Sequence, residues 1–219
     1  MWKAIILAGL PMVAAAQEYG TTSLTQSYNT ATMHSMSMES PSQTFTHVTP
    51  VDAGGYLEFV CQAPDQTDCW TIHYAGFGNA LAWGNADPSA PVQEVLDSLT
   101  PVETRDLMGG PIFPLRDGAE LSWLEIWRSD AFDADYVMTL AVSCCVPTPA
   151  SDLDLSDTLW TLTFSYENTG DVGDAHGGTI VFQYDAGQQV IVTQRTSNWW
   201  DTQSDRSLSF ATLTDFELR

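Results

Sequence analysis

The chain predicts an all-β fold, an antiparallel β-sandwich with the jelly roll as one arrangement of it, carrying an irregular N-terminal leader. Three observations lead there. Trp160-Thr161-Leu162-Thr163-Phe164-Ser165-Tyr166 alternates apolar and hydroxyl-bearing side chains, the period of a strand with one face on a core. Roughly eight or nine short segments of this kind follow one another between turns rich in Gly, Pro and Asp. Charged residues make up only 16% of the chain, while Ser, Thr, Gly and aromatics abound, a mixture that favours strands and turns over long helices.

Taken in order, Met1 to Ala16 carries one lysine, Lys3, an apolar run from Ala4 to Leu10, a break at Pro11 and small residues up to Ala16. That is the pattern of a secretory signal peptide cut after Ala16, and it places the remainder in a secreted or periplasmic setting. Residues 17–50 are Ser/Thr-rich with little sustained periodicity and read as a flexible leader. From residue 51 to 219 the chain reads as a single β-sandwich domain. Tyr56 to Cys61 and Cys69 to Tyr74 form a candidate hairpin. Residues 75–118 are loop-like, with Gly and Pro throughout and one helical spacing, Val92, Val95, Leu96 and Leu99. Strands resume at Leu121 to Arg128 and Tyr136 to Val142, and stop at Cys144-Cys145-Val146-Pro147. After the Trp160 strand, Thr179 to Tyr184 and Gln189 to Gln194 flank the turn Asp185-Ala186-Gly187-Gln188, and Ser207 to Leu218 completes the set.

With 28 acidic against seven basic residues the formal net charge is −21. Dispersed arginines on so acidic a chain exclude nucleic-acid recognition, which needs clustered cations to displace counterions. No segment after the signal peptide has the apolar length of a membrane-spanning helix.

The four cysteines allow three connectivities in an oxidising compartment. Cys61 and Cys69 flank a short turn at the ends of two strands, so a local bridge is the simplest arrangement. Cys144 and Cys145 then pair with each other or reach across to the first pair.

Period-two geometry puts Trp123, Glu125 and Trp127 on one strand face and Leu124 and Ile126 on the other. Two indoles beside a carboxylate suit a sugar, whose C–H faces stack on the rings while its hydroxyls donate to the acid. The alternative is a strand buried on both faces, with Glu125 paired to an arginine such as Arg116 or Arg128. Trp199 and Trp200 form a second aromatic cluster with at least one indole expected outward. Asp130, Asp133 and Asp135 are the lead acidic turn for calcium, which wants six to eight oxygens; no further cofactor is indicated. The resulting expectation is an exported binding module for carbohydrate, a glycan being its partner. Two rivals stand beside it: a glycoside hydrolase or lyase using Glu125 with Glu120 or another acid, and a structural surface protein with no small ligand.

Overall fold

A computed structural model of the chain describes residues 19–34, 37–38, 42–52, 54–62, 67–110, 112–128, 133–168, 176–200 and 206–218. The signal-peptide reading of residues 1–16 and the candidate calcium ligand Asp130 lie outside them. The strands are β1 Leu24–His34, β2 Ser37–Met38, β3 Ser42–Pro50, β4 Tyr56–Gln62, β5 Cys69–Gly76 and β6 Asn79–Ala86. A short helix, α1 Val92–Ser98, precedes β7 Thr100–Gly109, β8 Glu120–Arg128 and β9 Asp133–Pro147. The last four strands are β10 Thr158–Asn168, β11 His176–Asp185, β12 Val190–Trp200 and β13 Arg206–Leu218.

Every strand from β3 to β13 pairs antiparallel with its neighbour in sequence, and β1 pairs with β3 on one side and with β13 on the other. The result is a closed, twelve-stranded up-and-down barrel, with β2 an appendage of β1. The sandwich expectation is therefore corrected. A sandwich keeps two sheets with open edges, whereas here eleven residue pairs, from Leu24↔Leu218 to His34↔Ser207, join the first strand to the last.

The same finding corrects the leader. Residues 24–34 and 42–50 are strands of the barrel wall. Their periodicity is invisible in the sequence because both faces are polar: Thr30, Thr32, Ser42 and Thr44 line an interior cavity while Asn29 and Gln43 face outward. Only the frequency of β-branched threonine hinted at strand. Residues 79–86 and 100–109, read as loop, are also strands. Gly84 belongs in β6 because Leu99 crosses it closely: a Cβ there would lie 3.1 Å from the leucine Cδ2.

Inside and outside are sorted by alternation. In β10, Leu162, Phe164 and Tyr166 join the interior core and Thr161, Thr163 and Ser165 do not. A second, smaller cluster lies on the outer wall, where Val95 and Leu99 cover Leu57, Phe59 and the Cys61–Cys69 disulfide. The local bridge read from the sequence is present, and Cys144 joins Cys145 on an exposed stretch of β9 that continues through the expected break. Asp185 accepts from the backbone N–H groups of Ser156, Gly187 and Gln188 at 2.6, 2.8 and 3.1 Å, which pins the β11–β12 turn.

Because β1 has a partner on each side, all its N–H groups sit between strands. Asn29→Pro removes a donor without touching the core, and is expected to cost about 3 kcal/mol or more. A thermal midpoint lowered by roughly 6 to 12 °C in a melting experiment is the expected readout; an unchanged midpoint would return β1 to a free leader.

Candidate functional site

The Trp123, Glu125 and Trp127 side chains do share one face of β8, and that face points into the barrel. Trp123 is 2% exposed and Glu125 fully covered. The indole N–H of Trp123 donates to Glu125 Oε1 at 2.8 Å, that of Trp127 to Oε2 at 2.9 Å, and the Ala80 backbone N–H to Oε1 at 3.0 Å. Burial pushes the Glu125 carboxyl up, and these three donors only partly offset the rise. This corrects the open sugar platform: the carboxylate that was to receive sugar hydroxyls is already satisfied by protein donors and ties β8 to β6. Neither Arg116 nor Arg128 reaches it, and Glu120 stands exposed on the opposite face.

Of the remaining candidates, Trp199 and Asp135 fall on the outer wall. Trp199 is 37% exposed and lies over Gly177 of the neighbouring strand, where an added Cβ would come within 2.9 Å of the ring. The indole covers a glycine that has no side chain of its own. Trp200 continues β12 opposite His176, and its side chain lies outside the described residues, as does that of Asp133. The Asp135 carboxylate is ion-paired with Arg128. Among the described residues no group of three acids, histidines or cysteines is arranged to hold a metal.

The feature that sequence reasoning missed is an interior cavity of about 570 Å³. Its floor is aromatic: Tyr19 meets Tyr56 edge-on at 5.5 Å and Phe77 at 5.7 Å, and Phe77 meets Phe182 at 5.5 Å. One wall is hydroxylic, built by Thr30, Thr32, Ser42 and Thr44 with Gln194 and Thr196. At the end of the barrel away from that floor, Trp70 stacks obliquely on Trp83 at 5.0 Å, and Trp83 on Trp127 at 5.5 Å.

Glu58, on β4, is the one charged residue among the described residues lining this cavity. Its Oε1 accepts from the Tyr19 hydroxyl at 3.1 Å. Burial pushes its pKa up to about 7, only partly offset by that hydrogen bond. The sequence carried a faint sign: Glu58 alternates with Tyr56 and Val60 on a strand whose other face is Leu57, Phe59 and Cys61. A lone acid on a strand apolar on both faces is a candidate for burial.

Two consequences are measurable. Glu125→Ala leaves three donors, two of them buried, without an acceptor, so a loss of at least about 2 kcal/mol in denaturant unfolding is expected; a loss below about 1 kcal/mol would show that the clamp carries no weight. For Glu58 the folded pKa lies above the unfolded one, so the native state binds the extra proton. Its contribution then falls as pH rises from the ordinary glutamate range near 4.3 to about 7. Glu58→Gln is expected to gain up to about 3 kcal/mol on wild type between pH 5 and 8. Parallel stability profiles for the two proteins would contradict this.

Known proteins offer no parallel from which a role is transferred: no family model, no curated protein and no solved structure matches the chain.

Proposed function

We propose that this chain is an exported binding barrel that holds one small organic molecule in its interior. The observation that carries the reading is the cavity itself, whose volume of about 570 Å³ falls in the range of small-molecule sites, roughly 300 to 1,000 Å³. An aromatic floor, a hydroxylic wall and a single carboxylate give it the usual division of labour: apolar surface for affinity and a few polar groups for orientation. The outer wall supports a barrel that works in water. Thr161, Thr163, Ser165 and Glu167 of β10 and Thr193, Arg195 and Ser197 of β12 occupy the positions where a lipid-facing barrel carries an apolar band. No helix among the described residues is long and apolar enough to cross a membrane. Export is supported by the N-terminal pattern and by the Cys61–Cys69 bridge.

A mono- or disaccharide is the second reading, favoured by the row of Thr and Ser hydroxyls facing the same space as the Trp70 ring. Glycoside hydrolysis has less support, because it needs two carboxyl groups about 5 to 9 Å apart around the bond, and Glu58 is the one acid among the described residues lining the cavity.

Ala211 lines the cavity beside Thr30 of β1 and Gln194 of β12. Ala211→Trp is expected to fill it. Wild type is expected to bind the neutral fluorophore N-phenyl-1-naphthylamine saturably at one site, and the variant at least tenfold more weakly. Equal binding by the two proteins, at equal thermal stability, would overturn the interior-site reading.

A further inference from the structure

We propose that the occupant of the cavity is an organic cation, an ammonium on an aromatic or branched apolar body, with its positive end against Glu58. This rests on the interior-site reading and adds the chemical class of the ligand. Three independent observations converge on it.

The first is the hydrogen-bond chain behind Glu58. The Ile191 backbone N–H can only donate, and it does so to Gln26 Oε1 at 3.0 Å. That fixes the carboxamide with its nitrogen toward Tyr19, whose hydroxyl oxygen accepts from Gln26 Nε2 at 3.0 Å. The Tyr19 proton is thereby left to donate to Glu58. The chain presents Glu58 as an acceptor with one neutral donor, where a carboxylate takes several. Glu125, in the same barrel, receives three.

The second is what surrounds the acid. Tyr19 and Tyr56 meet edge-on, and Tyr56 and Tyr74 lie 5.1 Å apart, with Tyr28 and Phe77 completing the aromatic floor. Ring faces attract an ammonium and offer nothing to an anion. The described lining contains no Lys, Arg or His that would neutralise Glu58 from within the protein.

The third is the long-range field. A net charge of −21 raises the local concentration of cations at every opening of the barrel and repels anions. Burial raises the Glu58 pKa and the Tyr19 hydrogen bond only partly offsets it. The titratable groups facing it are Tyr19 from the N-terminal segment, Tyr28 of β1 and Tyr74 of β5, with Tyr56 beside it on β4 and Glu125 beyond Tyr74. Burial raises Tyr19, Tyr28 and Tyr74 above their ordinary value, so in the range of pH 5 to 8 these three stay neutral.

The test is a fluorescence titration of the full chain with four probes: benzyltrimethylammonium, its neutral carbon isostere neopentylbenzene, 4-phenylbutyrate and methyl β-glucopyranoside. At pH 8 the cation is expected to bind at least tenfold more tightly than any of the other three. Glu58→Gln keeps an acceptor for Tyr19 and is expected to abolish that preference. In wild type the preference is expected to shrink at least threefold at pH 5.5, where the probe keeps its charge and Glu58 does not. Binding of the isostere or the glucoside as tightly as the cation, or a cation preference that survives Glu58→Gln, overturns the cation reading while leaving the interior site standing. Binding of the cation that Ala211→Trp leaves unchanged overturns both, whereas failure of the cation to bind overturns the cation reading alone and leaves the interior site to the N-phenyl-1-naphthylamine titration.

Discussion

The pairing of β1 with β13 is the constraint on which the rest depends. Without it the sheet has two long edges with unpaired N–H and C=O groups, and its inner face is open to water. With it, the sheet encloses a volume that side chains must fill or leave empty. Toward the end holding Tyr19, Phe77, Tyr184 and Leu159 they fill it. Further along β1, β3 and β13 the inward residues are Thr, Ser and Ala, too small to meet across the barrel, and a cavity results. Closure and cavity thus come from the same two N-terminal strands.

Two inward carboxylates show how environment divides their roles. Glu125 takes three donors from β6 and β8 and serves as a tie between strands, a buried charge held by full hydrogen bonding. Glu58 has one tyrosine hydroxyl and an empty space beside it. The difference lies in the donors that the neighbouring strands supply.

Much of the wall was legible. Alternation in β10, the hairpin of β4 and β5, the β11–β12 turn and the α1 spacing all hold: β10 sets an apolar core face against a polar outer one, and elsewhere the turn residues or the helical spacing mark the element. Strands become unreadable where that contrast disappears. In β1 and β3 the inner face is hydroxylic because it lines a cavity, so the two faces look alike and the segment reads as a leader. The shared face of Trp123, Glu125 and Trp127 was equally readable, yet its direction was not: Leu124 and Ile126 make the opposite face apolar too, and alternation alone cannot tell inside from outside. Only barrel closure sets that sign. Glu58 went unnoticed for a related reason, since its importance comes from Tyr19, which lies 39 residues away in the chain.

The strand order also sets a timetable. Eleven of the twelve seams in the wall join segments that follow one another in the chain, and these form by local search. The twelfth joins residue 24 to residue 218 and carries nearly the whole chain as its loop. β1 therefore has no second partner until the last strand of the chain is present. Until that seam closes, the sheet keeps two unpaired edges, and these are where pairing with another copy of the chain would begin.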